Sequence, residues 1–328
     1  MKRTINLITA FFILIFSFGP SMAEDTIKVL IHEDTIAPAP SKDAKDIGSL
    51  NGKLFLNGKH YTGSFEIKKD DNGLQFINSI PFEKYVEGVV ASETGMDWEM
   101  EALKAQAVIS RTYAIFHKLA NGEKEFHLTS GVLSQVYKDE NKDPLIARAV
   151  SETGGEILTY NGSPIESLYH SVCYGKTEVP EEVWGASYPY LKPVECNNKN
   201  TPYENWERKF TLEDIEKALN IKDIKDITIS SFTSTGRVKT LSIAKTNDEA
   251  ATEIKATELR KLIGYNKLPS TSFLLTKESN GMVFQGNGWG HGVGLSQWGA
   301  LEMAREGKDY REILAHYYPG TVIEKRQY

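Results

Sequence analysis

Glycine falls at every second position in Gly286-Asn287-Gly288-Trp289-Gly290-His291-Gly292-Val293-Gly294, and the run ends in Leu295-Ser296-Gln297-Trp298-Gly299-Ala300. In an extended segment this strips one face of its side chains. Glycine loses the most backbone entropy on folding and packs nothing, so a strand gains no stability from such a run. The pattern points instead to a ligand or another stretch of backbone lying close against it. The polar and aromatic cluster that follows is suited to start a helix.

At the other end, Lys2 and Arg3 precede an apolar run from Leu7 to Phe18, then Gly19-Pro20 and the small-residue site Ser21-Met22-Ala23. This is the order of a secretory signal cleaved after Ala23, and the run is shorter than the ~20 residues a spanning helix needs. The expectation is an exported protein of the periplasm or extracytoplasmic cell envelope, with no membrane span after signal cleavage. Loss of Lys2 and Arg3 takes the formal charge from −6 to −8, and a mildly acidic field argues against a nucleic-acid partner. Export permits disulfides, and Cys173 and Cys196 are the only cysteines. A single bridge is the simple expectation, with a thiolate metal site as the alternative.

Residues 24–80 alternate short apolar runs with turn signals at Asn51-Gly52, Asn57-Gly58 and Asp71-Asn72-Gly73, as small antiparallel strands do. Ala37 to Ser41 reads as a loop. After Pro81, the residues Phe82, Tyr85, Val86, Val89 and Val90 recur at helical spacing. A second helix is predicted from an N-cap at Asp97 to about Leu119, apolar on most sides and therefore interior. Its polar residues form two stripes, Gln106, Ser110, Tyr113 and His117 on one, Lys104, Arg111 and Lys118 on the other. A short helix and strand follow over 146–160, and 165–174, which carries Tyr169-His170-Ser171, reads as a β segment.

From Pro202 the chain changes character, with a helix behind Thr211, a hairpin around Thr235-Gly236 and a helix over 259–263. A last hairpin at Asn280-Gly281 delivers the chain into the glycine run, and helices over 301–305 and 310–318 close it. The predicted fold class is α+β: a mixed helical core with small antiparallel sheets and a smaller inserted α+β module. Its parts are a signal peptide (1–23), a β-rich segment (24–80), a catalytic core (81–201 and 271–328) and the inserted module (202–270).

Glu93 follows Val89 by four residues and Val86 by seven, so an acid continues the apolar stripe of its helix. Burial there disfavours the charged form and raises the pKa, as a general acid near neutral pH requires. A helix that frays before Glu93 would instead release the side chain to water, and periodicity does not separate the two. Arg111 is a counter-group for a carboxylate or an anionic substrate, or else half of a structural ion pair with Glu99 or Glu101. His291 and Trp298, set among glycines, suit a sugar or ring platform.

Other chemistries fail on spacing. The last glycine of G-x-G-x-x-G is replaced by His291, Val293 or Leu295, and there is neither a P-loop lysine nor an H-E-x-x-H. His170, Cys173 and Cys196 offer three metal ligands without the paired spacing of structural zinc, so no metal or cofactor is expected.

Several blocks together carry a resemblance: Ile80-Pro81-Phe82-Glu83-Lys84-Tyr85-Val86 with Ala91-Ser92-Glu93, Leu103-Lys104-Ala105-Gln106-Ala107-Val108 with Arg111-Thr112-Tyr113-Ala114, the glycine run through Ala300, and Tyr317-Tyr318-Pro319-Gly320-Thr321. The chain resembles the SpoIID family of sporulation lytic transglycosylases and amidase enhancers. The resemblance implies cleavage of peptidoglycan glycan strands, preferably strands stripped of stem peptides by an N-acetylmuramoyl-L-alanine amidase, which becomes the expected protein partner. It makes Glu93 the catalytic acid and Arg111, Gln135 and Tyr137 substrate contacts. Gln106, Tyr113, Tyr169, His170, Ser171, His291, Gln297 and Trp298 complete the expected binding set. Some relatives hold zinc through a histidine and cysteines just before Gln-x-Tyr, but 128–134 contains no cysteine, and that site is not carried over. Thr94 stands where methionine is common beside the acid. The rival implication is a non-catalytic glycan-binding protein that activates the amidase.

Overall fold

The computed structural model describes residues 25–31, 45–56, 59–70, 73–95, 97–131, 134–138, 143–196, 201, 203–246 and 250–327. The signal segment, the Ala37 to Ser41 loop and the turn residues 57–58 and 71–72 lie outside the described residues.

The N-terminal part forms one sheet. Strands Lys45–Leu56, Lys59–Asp70, Gly73–Pro81 and Thr26–Leu30 follow one another across it in antiparallel pairs, and Leu128–Thr129 adds to Thr26–Leu30 in parallel. Pro81 ends a strand and the first helix, α1 (Phe82–Glu93), starts on the next residue, where Phe82 N donates to Asp25 O. Proline has no N–H to give a ladder and its fixed φ suits a helix entry. The apolar positions Phe82, Tyr85, Val86, Val89 and Val90 are all buried, as the spacing predicts.

Helix α2 (Met100–Ala120) runs through the middle of the core. Its N-cap is Glu99, not Asp97, which takes a left-handed φ of 61° before the helix begins. Ala102, Leu103, Ala107, Ala114 and Ile115 enter a cluster shared with α1 and the N-terminal sheet. Ala105, Val108 and Ile109 enter a second cluster with Val293, Leu295, Ile313 and Tyr317. Burial on two opposite faces explains why the sequence shows no broad polar side. Against α2 lie α3 (Pro144–Glu152), which is capped by Asp143, and the strand Glu156–Tyr160. The short α4 (Pro180–Trp184) carries a tryptophan that is half exposed. Cys173 and Cys196 are joined in a disulfide, which closes a loop and contributes about 3 kcal/mol through the unfolded chain's lost freedom. With both sulfurs in that bond, the metal-site alternative is excluded.

The inserted module has its own core of Trp206, Ile215, Leu241, Ile243, Leu259, Phe273, Met282 and Phe284. It holds α5 (Leu212–Leu219), entered through a Thr211–Asp214 capping box, and α6 (Ala256–Ile263). One sheet runs Ile224–Phe232, Val238–Lys245, Thr252–Lys255. The other runs Trp206–Thr211, Gly281–Gly286, Phe273–Glu278. The last hairpin therefore packs into the module rather than into the catalytic core to which the sequence reading gives it. Helices α7 (Gln297–Arg305), capped by Ser296, and α8 (Tyr310–Tyr317) complete the main core.

Candidate active-site cleft

Glu93 ends α1 at the floor of a cleft of about 460 Å³, and it is the one acidic side chain among the described residues that line it. One of its carboxyl oxygens accepts from Val136 N at 2.9 Å, the other from Gln297 Nε2 at 3.2 Å. The residue is half-buried, yet burial of the carboxyl is the largest influence and raises its pKa. The two donors and the nearby Tyr169 hydroxyl pull the other way and do not cancel it. That hydroxyl has no hydrogen-bond partner among the described residues. Gln297 is oriented from behind, since its Nε2 also donates to Gln106 Oε1 at 3.4 Å while Gln106 Nε2 donates to Ser110 Oγ.

Because the folded carboxyl is held above its ordinary range, folding favours the protonated form. Wild-type stability is then unpenalised at pH below the ordinary carboxylate range and falls as pH rises from there through the raised value. Glu93→Gln, which does not ionise, is expected to lack this fall. Thermal unfolding of both proteins from about pH 4 to about pH 8 checks it, and a difference between them that ignores pH would contradict it.

The glycine run forms the cleft's rim, and it is not an extended strand. Gly288, Gly290, Gly292 and Gly294 all have left-handed φ, from 71° to 117°. The chain bends at each and lies against 168–173, with Trp289 and Val172 exchanging backbone hydrogen bonds of 2.9 Å and Leu295–Ser296 pairing in parallel with Tyr169–His170. A Cβ on Gly290 would stand 2.7 Å from His170 Cβ, and one on Gly288 2.7 Å from Val172 O. What approaches the missing side chains is therefore the protein itself, backbone at Gly288 and Gly294, the His170 Cβ at Gly290 and the Arg237 guanidinium at Gly292. The turns aim Trp289 and His291 into the cleft.

His291 Nδ1 accepts from Val293 N at 3.1 Å, and burial, with Arg260 and Arg237 nearby, pushes its pKa down to about 3. His170 Nδ1 meets Val293 O at 3.1 Å, which assigns the ring proton to Nδ1, and its pKa is held well below the ordinary value, by burial above all. Both rings are neutral. Trp184, Trp289 and Tyr265 supply broad aromatic surface.

The SpoIID family model, described as stage II sporulation protein, matches residues 70–160, and a domain of unknown function (DUF8618) matches 191–294. The chain is 34% identical to stage II sporulation protein D of Bacillus subtilis over 76% of each protein. It is 35% identical to an uncharacterized protein of Brachyspira hyodysenteriae over 82% of this chain and 73% of that one. This chain belongs to the SpoIID family. The amidase enhancer of Bacillus subtilis is 31% identical over 84% of this chain but only 45% of the enhancer. In this SpoIID-family chain, the first matched segment supplies Glu93, Tyr113, Ser134 and Val136 to the cleft. The second supplies Arg260, Tyr265, Trp289 and His291.

Of the expected binding residues, Tyr113, Tyr169, His170, Ser171, His291 and Gln297 line the cleft. Five others in this SpoIID-family chain do not, namely Gln106, Arg111, Gln135, Tyr137 and Trp298. Arg111 is fully buried and gripped by Glu83 through two 2.8 Å contacts, while also donating to the carbonyls of Glu156 and Val150. It is an internal clamp between α1, α2 and α3, and neither Glu99 nor Glu101 is its partner. Arg111→Lys, which loses the bidentate fork, is expected to cost about 2 kcal/mol in denaturant unfolding.

Gln135 is buried, accepting from Tyr85 Oη at 3.0 Å and donating to Ser110 O, so it props the segment that carries Val136. Tyr137 is buried against Tyr61 and Tyr85, with its hydroxyl donating to Asn78 Oδ1. Trp298 is partly buried, edge-on to Trp98 at 5.9 Å and packed against the main core, and it is not among the residues that line the cleft. Gln106 acts through Gln297. Trp184, Arg260 and Tyr265 are cleft residues that sequence reasoning misses, and Trp289 of the glycine run lines the cleft with them. The sole sequence signal for Trp184 is an unpaired aromatic between Pro180 and Gly185.

Proposed function

We propose that the cleft binds peptidoglycan glycan strands, stripped of stem peptides, and cleaves them as a lytic transglycosylase at the bond between N-acetylmuramic acid and N-acetylglucosamine. The observation that carries this reading is the lone desolvated carboxyl, Glu93, in an aromatic cleft with no acidic partner among the described residues. Hydrolytic glycosidases place two carboxyls across the bond. One suffices when the nucleophile is the sugar's own hydroxyl. Glu93 gives its proton to the glycosidic oxygen as the bond to the anomeric carbon breaks. The muramic 6-hydroxyl oxygen then bonds to that carbon and returns its proton to the Glu93 carboxylate. The products are a 1,6-anhydro end and a free hydroxyl on the departing sugar, and the enzyme is restored. The aromatic side chains Trp184, Trp289 and Tyr265 offer faces for sugar rings, and Gln297 with Val136 N stabilises the transient carboxylate.

This role places the protein at the cell wall, outside the cytoplasm. A second reading follows from the similarity to the amidase enhancer, in which the same cleft holds glycan while an N-acetylmuramoyl-L-alanine amidase cuts. Purified protein incubated with peptide-free strands separates the two. Anhydro ends detected by mass spectrometry support cleavage. Intact strands, together with faster release of peptide when an amidase is added, support the activator.

A further inference from the structure

We infer that Arg260 determines specificity in the cleft by receiving a carboxylate of the ligand, the free lactyl carboxylate of an N-acetylmuramic acid ring. The inference rests on the glycan reading and adds the group that senses the sugar's charge. Arg260 is only 8% exposed, yet it lines the same cleft as Glu93. Two contacts hold its guanidinium plane: Nε donates to Leu268 O at 2.9 Å, and the group lies 4.8 Å from the centre of the Tyr265 ring. Its two terminal nitrogens have no hydrogen-bond partner, and the guanidinium has no ion pair, among the described residues. A fixed plane with its fork unoccupied suits a planar carboxylate bound through two parallel hydrogen bonds.

The surroundings leave the charge uncompensated. Behind the cleft sits Arg237, 3% exposed, with its three side-chain nitrogens lacking hydrogen bonds and Glu178 Oε2 at 3.9 Å. Glu178 is already engaged by Thr233 and Val179 N. The two imidazoles beside them, 5.6 Å apart, are neutral. This side of the cleft therefore holds one cation, Arg237, with a single long ion pair and another, Arg260, with none among the described residues, and the acid that lines the same cleft is protonated in its working form. A buried cation without a partner is costly, and an entering carboxylate offsets that cost. Of the two sugars in the strand, N-acetylglucosamine is neutral. N-acetylmuramic acid carries an ionised lactyl group only when no peptide amide consumes it, so Arg260 distinguishes the rings and the stripped from the unstripped strand.

The test is calorimetric binding in a Glu93→Gln background, which keeps strands intact. The ligands are peptide-free strands, the same strands with their carboxyls reduced to alcohols, and neutral N-acetylglucosamine oligomers. The expected result is about tenfold tighter binding of the unreduced strands, a gap that narrows with salt. Arg260→Gln should bring the unreduced strands down to the reduced ones without moving the latter, and Arg260→Lys should restore part of the gap. Equal binding of reduced and unreduced strands by the parent overturns the inference and leaves the glycan reading standing, and this comparison needs no Arg260 variant to fold. Failure to bind any of the three glycans overturns both.

Discussion

Glu93→Gln is expected to lower the rate of anhydro-end formation by roughly a thousandfold while the protein stays folded. Both proton transfers in the proposed reaction pass through this one carboxyl, and no other acid among the described residues lines the cleft to replace it. The amide is isosteric and can still accept from Val136 N, so the loss should appear as chemistry rather than as misfolding. Product release followed by mass spectrometry, beside a thermal melt, reads the two separately. A variant that retains a tenth or more of the rate would show that the proton comes from elsewhere.

Gly294→Ala should be the most damaging single methyl in the molecule, at roughly 4 kcal/mol. Its φ is 71°, and a Cβ there would overlap the carbonyl oxygen of Leu168. Neither strand of that contact is free to retreat. Leu168 O accepts from Leu295 N and from Tyr318 Oη, and Leu295 pairs with Tyr169. Gly236 provides the control. Its φ of 88° is equally left-handed, but nothing lies within 4 Å of an added Cβ, so alanine there should cost only about 1 kcal/mol for the backbone conformation. Chemical denaturation of both variants isolates the crowding, and equal costs would remove the close-approach explanation of the glycine run.

Much of this was legible in the sequence wherever the cause was local. The stripe through Phe82, Val86 and Val89 puts Glu93 on the buried side of α1, and Thr211 caps α5 as its side chain suggests. The Cys173–Cys196 bond follows from two cysteines in an exported chain. The glycine run signals close approach, but alternation on paper reads as a flat strand, whereas the left-handed φ values make it a series of bends. What was not legible depends on distant pairing. Glu83 takes Arg111 from 28 residues away across a helix pair, and nothing near Arg111 in sequence announces it. Phe273, Met282 and Phe284 look like any hairpin until Trp206–Thr211 pairs beside them. Arg260 and Tyr265 belong to an inserted module, and only the folded chain brings them to the cleft that holds Glu93.

The most direct test of a single-carboxyl cleavage is digestion of peptide-free strands by the wild-type protein in water enriched in heavy oxygen. If the muramic hydroxyl is the nucleophile, every new end is a 1,6-anhydro ring, lighter by one water than a reducing end and free of the heavy isotope. New reducing ends that carry the isotope would mean that water attacked, and the account of Glu93 acting alone would be wrong.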